Sequence, residues 1–457
     1  MKARSYKTLS AISIVIISLA TFIFAAKFPA RKKMNVVLIT IDALRSDHLG
    51  CYGYFRNTSP NIDRVAKEGE IFLQAVGQSP RSPTSFGTIL TSNMPNEHNL
   101  VEWGVASLNK KLVTLTKALK SQGYRTIFLG NCKLNLGELR TIMDGVLDDF
   151  DIVYPDVSAM KVTDRIISFI NDNLKNRFFV WVHYSNTHTP YSSSDKYLAL
   201  FTNDSHYDKE NKLPIVKAKM DIYGGLNGIS EVLAGQNNGI DNPDYYIAQY
   251  DGGIRTVDDE VARIIGTLRK NGLYSNTLII ISSDHGEMLG EHGYYFHHGC
   301  FLYEPLLEVP FIIKADGMIP RGTKFNLPVS IHLSLAPTVL DILGINKPAT
   351  MKGKSLLRKM GRADNYIFSE DGFGLKSVRY EEWKLIYYEN YNQTGKPKYE
   401  LFNLVKDPKE STDLVSMEEN IFLQLKNKLD SYKRKAFFKP VLDDDSKAQL
   451  KYLGYIQ

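Results

Sequence analysis

Short runs that are apolar at almost every position recur from Asn35 onward: "NVVLIT" (35–40), "RTIFLG" (125–130), "RFFVWVHY" (177–184), "NTLIIISS" (276–283) and "VPFIIK" (309–314). A strand with one wet face alternates apolar and polar residues, whereas unbroken runs suit strands covered on both faces, as in a parallel sheet. Helical patterns lie between them, in "VTLTKALKSQG" (113–123) and in "DDEVARIIGTLRKNG" (258–272), where Gly272 stands at the expected helix cap. The pattern predicts an α/β fold, a mostly parallel sheet between helix layers.

Two segments depart from it. From Ser192 to Pro243 the chain is polar, with "SSSD", "NDSHYDKENK" and "GQNNGIDNP", which reads as a long surface excursion, helical around Ser230–Ala234. After Ala363, "KSVRYEEWKLIYYENYN" (376–392) and "KYELFNL" (398–404) alternate like antiparallel strands, and "EENIFLQLKNKLDSYKRK" (418–435) reads as a helix. The expected organisation is an N-terminal segment over 1–33, a main domain over 34–363 that includes the insertion 192–243, and a small C-terminal α+β subdomain over 364–457.

Composition changes this picture little, with 43% hydrophobic and 23% charged residues, ordinary for a globular chain. Charge changes it more. The formal net charge of +6 comes from the N-terminus: Lys2, Arg4, Lys7, Lys27, Arg31, Lys32 and Lys33 fall there without an acid, leaving 49 basic against 50 acidic residues. A nucleic-acid partner is therefore not expected. Between Lys7 and Lys27, "TLSAISIVIISLATFIFAA" is uncharged and long enough to cross a bilayer as a helix. It reads as a membrane anchor or a cleaved signal segment. The absence of a clean small-x-small site before Lys27 favours the anchor, placing the protein outside the cytoplasm, periplasmic or at the cell surface, and secreted if the segment is cleaved. Cys51, Cys132 and Cys300 are too few and scattered for a disulfide framework.

The candidate chemistry sits where apolar runs end. "NVVLITID" delivers Asp42, "NTLIIISSDHGE" delivers Asp284 and His285, and "FFVWVHYSNTHTPY" delivers His183 and His188, all to the carboxyl edge at which open α/β sheets bind ligands. Two carboxylates and an imidazole converging from separate strands suit a divalent cation: oxygen ligands fit Ca²⁺, Mg²⁺ or Mn²⁺, and imidazole widens the choice toward Mn²⁺ or Zn²⁺.

These residues carry a resemblance. "NVVLITIDALRSDHLGCYGYFRNTSPNIDRVAKEG" (35–69) resembles the opening of the sulfatase family, within the alkaline-phosphatase superfamily, and "SSDHGEMLGEHGYYFHHGCFLYEPLLEVPFII" (282–313) resembles its second metal segment. "HLSLAPTVLDILGI" (332–345) and "ELFNLVKDPKESTDL" (400–414) resemble two further landmarks. The resemblance implies an alkaline-phosphatase-like sheet and a single divalent cation, Ca²⁺ foremost, on Asp42, Asp284 and His285. Ala43 stands where many members have a second aspartate, and with the Asp-His pair this is more similar to the branch of choline sulfatase and phosphonate monoester hydrolase. His188 matches a histidine that contacts substrate or leaving group, and His298 falls where a lysine or histidine binds the sulfuryl or phosphoryl oxygens. "KLNLG" (133–137) is similar to the family's K-W-H-L-G, placing Lys133 in the site and Asn135 where histidine is usual; Asn135 and His183 are expected on the substrate side.

The nucleophile is expected in "SPRSPTSFG" (79–87), which holds four hydroxyl side chains. The family motif is C-x-P-S-R or S-x-P-S-R a few residues before L-L-T-G, and counting back from "ILTS" (89–92) aligns Ser82 with the nucleophile. Ser82 is equally a favourable helix N-cap before Pro83. Thr84 and Phe86 replace the motif's proline and arginine, so oxidation to formylglycine is not expected and the serine hydroxyl itself would attack. The implied activity is hydrolysis of a sulfate or phosphate ester of a small molecule or glycan. The alternatives are a membrane-anchored phosphotransferase acting on an envelope glycan or lipid, and a binding protein that kept the fold without the activity.

Overall fold

The protein is described here by a computed structural model, which describes residues 34–101, 107–131, 143, 145–156, 158–218, 224–357, 366–372, 374–389 and 398–432. The N-terminal segment 1–33, with its expected anchor, lies outside them. Among the described residues no helix is long and apolar enough to cross a membrane.

The central sheet has eight strands: β1 (Asn35–Ile41), β2 (Glu70–Phe72), β3 (Arg125–Asn131), β4 (Ile152–Asp156), β5 (Phe178–Tyr184), β6 (Thr277–Ser282), β7 (Phe311–Lys314) and β8 (Thr323–Phe325). Their spatial order is β8-β2-β7-β6-β1-β5-β3-β4. All run parallel except β7, which is antiparallel to both neighbours. The chain leaving β6 turns back without a long helix to carry it across a sheet face, and without such a crossover the next strand returns in the opposite sense.

Unbroken apolar runs follow from this placement. In β1, Val36 and Leu38 pack on one face with Phe179, Trp181, Leu278 and Ile280, while Val37, Ile39 and Ile41 pack on the other with Val180, Val182, Ile279 and Ile281. Burying one such aliphatic side chain contributes about 1.5–3 kcal/mol. Helices α1 (Pro60–Lys67), α2 (Ser82–Thr91), α3 (Ala159–Asp172), α4 (Pro243–Lys270) and α5 (Ile331–Leu343) supply the cover: α2 and α5 over the first face, α1, α3 and α4 over the second.

Helix α4 starts fifteen residues before the predicted 258–272 stretch. The Asn242 side chain accepts hydrogen bonds from the Asp244 and Tyr245 amides, and Pro243 opens the helix; Gly272, at φ +67°, follows its C-cap as expected. Gly252 and Gly253 inside α4 are where the loop after β5 presses in. A Cβ on Gly252 would lie 2.0 Å from Ser193 Oγ and one on Gly253 2.6 Å from the Asn186 carbonyl, so the loop that carries His188 is seated on α4. In the polar excursion, Ser230 caps a helix over Glu231–Gln236, and a second helix spans Asp195–Thr202. The excursion is also tied to the site edge, because Gly225–Leu226 adds a strand to the hairpin formed by Met288–Leu289 and Tyr294–His297.

At the C-terminus β9 (Ile367–Glu370), β10 (Leu375–Tyr380), β11 (Trp383–Tyr388) and β12 (Tyr399–Asn403) form a sequential antiparallel sheet with α6 (Glu419–Ser431) beside it. Ion pairs join it to the main body. Lys384 Nζ lies 2.8 Å from both Glu304 Oε1 and Glu410 Oε1, and Arg379 Nη1 lies 2.9 Å from Glu304 Oε2.

Candidate active site

Parallel pairing of β1 with β6 and β5 puts Thr40 opposite Ser282 and His183, so the residues just beyond those strand ends meet. Asp42 and Asp284 are buried, as is His285. His285 Nε2 lies 3.5 Å from Asp42 Oδ1 and 3.6 Å from Asp284 Oδ2, and neither carboxylate oxygen has a hydrogen-bond partner among the described residues. The remaining contacts hold the acids in place. His183 Nε2 donates to Asp42 Oδ2 (3.3 Å), and Asp284 Oδ1 accepts from the Ala43 and His285 amides at 3.2 and 3.0 Å. One ligand atom from each of Asp42, Asp284 and His285 lies within 4.8 Å of the others.

Two orphaned, buried carboxylate oxygens facing an imidazole nitrogen are the donor set of a cation site, because an uncompensated buried carboxylate is costly. The three residues fit a divalent ion and leave positions for further oxygens. Ala43 adds no ligand, and its backbone, at φ +54°, turns its amide onto Asp284.

Electrostatics at Asp42 are lopsided. Burial alone would raise its pKa, but the charge on His188, the hydrogen bond and charge of His183, and His285 outweigh burial and hold the carboxyl far below the usual range. At His183 burial acts downward, and the Asp42 carboxylate overcomes it and raises the imidazole. Thr40 Oγ1 lies 2.9 Å from His183 Nδ1, so both ring nitrogens are engaged and His183 serves Asp42 in this geometry.

Of the four hydroxyls at 79–87, one faces this group. Ser82 Oγ lies 3.1 Å from His285 Nε2. Thr84 Oγ1 donates to the Val101 carbonyl and Ser85 Oγ to the Ser79 carbonyl, while Ser79 is buried. The capping expectation shifts by one residue: Arg81 is the N-cap of α2, Ser82 the first helical residue and Pro83 the second. Pro83 is still tolerated, since first-turn amides have no helical partner, and the Ser82 hydroxyl is directed at His285. Phe86, where the family has arginine, is buried edge-on against Trp181 and His183, with ring centroids 4.9 and 4.8 Å apart.

His188 and His298 complete the cluster. Their ring centroids are 4.7 Å apart, and His298 lies 4.6 Å from His285. His188 Nδ1 is 2.6 Å from the Thr189 carbonyl, leaving Nε2 for a ligand. Lys133 and Asn135 lie outside the described residues. Sequence reasoning missed three residues here. Thr40 holds His183, Glu287 contacts His298 (3.1 Å), and His332 Nε2 donates to the Ser283 carbonyl (3.0 Å) beside Asp284. Burial lowers His332 to about 4, so it is a neutral prop. Glu287 stood inside the quoted "SSDHGE", but strand-end logic carried no signal beyond His285.

Comparison with known proteins identifies the family. The family model described as Sulfatase matches residues 34–345, and that described as N-sulphoglucosamine sulphohydrolase, C-terminal, matches 290–435. An N-acetylglucosamine-6-O-sulfatase of Bacteroides thetaiotaomicron is 23% identical over 85% of this chain and 84% of its own length. An arylsulfatase of Clostridium perfringens is 27% identical over 85% of this chain and 91% of its own. The solved structure of the phosphonate monoester hydrolase of Agrobacterium radiobacter superimposes with a TM-score of 0.71 at 20% identity, covering 87% of this chain and 95% of that one. Since the Sulfatase model alone spans well over half of the sequence, the chain belongs to the sulfatase family of hydrolases.

Proposed function

We propose that the chain cleaves a sulfate or phosphate ester with the unmodified hydroxyl of Ser82 as nucleophile, beside one divalent cation held by Asp42, Asp284 and His285. The observation that carries this is Ser82 Oγ at 3.1 Å from His285 Nε2, with the helix cap left to Arg81. A bound cation supplies Lewis-acid stabilisation of the charge that develops on the transferred group; the oxygen-rich donor set puts Ca²⁺ first. The N-terminal end of α2 adds a positive dipole end where that charge grows. Attack by Ser82 Oγ, whose proton is released to solvent, forms an Oγ–sulfur or Oγ–phosphorus bond and breaks the bond from that sulfur or phosphorus to the ester oxygen. His188 Nε2 protonates the departing alcohol, and His298 holds the non-bridging oxygens. Water then gives a proton to the neutral His188 Nε2 as it attacks the serine ester, which releases sulfate or phosphate and, with a proton from solvent, restores the Ser82 hydroxyl.

Thr84 and Phe86 support an unmodified serine, because they replace two residues of the formylglycine motif. A serine ester lacks the elimination route open to an aldehyde hydrate, which favours phosphoryl over sulfuryl transfer and makes a phosphotransferase onto an envelope glycan or lipid the second reading. The Asp-His pair and Ala43 support a reading near the choline sulfatase and phosphonate monoester hydrolase branch, and the N-acetylglucosamine-6-O-sulfatase relative supports a glycan ester. The uncharged run before Lys27 supports an anchored, extracytoplasmic enzyme.

Peptide mapping of residues 79–92, with kinetics on 4-nitrophenyl sulfate and 4-nitrophenyl phosphate, tests this reading. The expected outcome is an intact serine at position 82 and near-complete loss of turnover in Ser82→Ala with the fold retained. An aldehyde at position 82 would restore ordinary sulfatase chemistry, and full activity in Ser82→Ala would remove Ser82 as the nucleophile.

A further inference from the structure

Two residues beyond His285, the Glu287 side chain is fully buried and both of its oxygens are engaged. Oε1 lies 3.1 Å from His298 Nδ1, and Oε2 accepts from Thr189 Oγ1 at 3.3 Å. The backbone makes this pairing. Met288 pairs with His297 in an antiparallel hairpin, so Glu287 and His298 are the next residues outward on its two arms. Glu287 is fixed on the other side as well: its carbonyl accepts from Arg45 Nη1 (3.1 Å), and a Cβ on Gly286 would fall 1.9 Å from the Pro305 carbonyl.

We propose that Glu287 is a positioning residue of the active site, which aims His298 Nε2 at the transferred group and ties the His188 loop to the His298 hairpin. A carboxylate accepts hydrogen bonds and donates none. It therefore selects the forms of His298 that carry a proton on Nδ1 and fixes the ring plane, leaving Nε2 as the working atom. By accepting the Thr189 hydroxyl with its other oxygen, the same group sets the spacing between the His188 and His298 rings. Deletion of an orienting partner of this kind lowers activity about 10- to 100-fold. The proposal rests on the reading that His298 holds the oxygens of the transferred group.

A double-mutant cycle separates the two ideas. Wild type, Glu287→Ala, His298→Ala and the double variant are compared by kcat and KM on whichever of 4-nitrophenyl sulfate and 4-nitrophenyl phosphate the wild type turns over, and by thermal unfolding. Glu287→Ala is expected to lower kcat 10- to 100-fold with little change in KM, and to cost several-fold less once His298 is alanine, the remainder being its hold on the His188 loop. Glu287→Gln keeps an acceptor for Nδ1–H and an amide for Thr189, and is expected to recover activity to within about tenfold of wild type. Equal losses from Glu287→Ala in both backgrounds would overturn the proposal while leaving His298 in place. A His298→Ala enzyme with wild-type kinetics would overturn it together with the role of His298. Should Glu287→Ala not fold, a Glu287→Gln variant that folds but is as inactive as His298→Ala would also overturn it.

Discussion

Under the C-terminal sheet, Glu304 and Glu410 share the buried Lys384 ammonium at 2.8 Å each, with Arg379 beside Glu304; at the carboxyl edge of the central sheet, Asp42 and Asp284 are buried with no lysine or arginine in contact among the described ion pairs and one partnerless oxygen each. The seam carries its counter-ions within the chain and so acts as a fastener. The edge has histidines in place of fixed cations and leaves a gap in its charge balance where a family metal would sit. A third carboxylate follows another course. Glu370 is buried opposite Lys376 on the neighbouring strand, accepts from the Asn96 amide (2.7 Å) and the Tyr432 hydroxyl (3.1 Å), and burial outweighs these hydrogen bonds and the Lys376 charge to push it up to about 7. Burial alone therefore does not mark a functional acid; the absence of an internal partner together with a converging donor set does.

The sharpest break of this comparison is at the edge. Asp42→Asn or Asp284→Asn is expected to lower kcat/KM by about 10²–10³-fold or more with the unfolding midpoint little changed or raised, as read by kinetics and urea denaturation. At the seam the effect should invert: Lys384→Met leaves Glu304 and Glu410 short of a counter-ion and is expected to cost about 3–5 kcal/mol of stability, with turnover per folded molecule preserved. Glu370 supplies a pH signature. Its folded pKa of about 7 lies above its ordinary 4.5, so its contribution to stability is complete below 4.5 and is lost as pH rises through about 7. In Glu370→Gln the difference between urea midpoints at pH 5 and pH 7 is expected to shrink. The smallest effect is expected of Thr84→Ala. It gives up a buried hydrogen bond to Val101 worth about 1 kcal/mol and should keep most activity, because its hydroxyl faces away from His285.

What the sequence discloses depends on how far apart the interacting residues lie. Asp42, Asp284 and His285 were legible because each follows an apolar run whose carboxyl end is a known ligand edge, and Ser82 because its distance from "ILTS" is a count along one helix. The antiparallel sense of β7, the strand that Gly225–Leu226 adds to the site hairpin, and the Glu287–His298 pair depend on contacts between distant segments, which periodicity does not register. The first half of α4 was not predicted either, and its Gly252 and Gly253 are the positions against which the loop after β5 packs. The replacement of arginine by Phe86 could be read, but not its packing between Trp181 and His183.

The central claim is that the unpaired acids at the sheet edge are completed by an external ion, whereas the seam acids are complete already. Calorimetric titration of chelator-stripped protein with Ca²⁺, repeated with Mn²⁺, tests it directly. The account predicts one ion per chain for wild type, loss of binding in Asp284→Asn, and unchanged binding in a folded Glu410→Gln variant at the seam. Undiminished binding in Asp284→Asn, or no binding of either ion by folded wild-type protein, would contradict it.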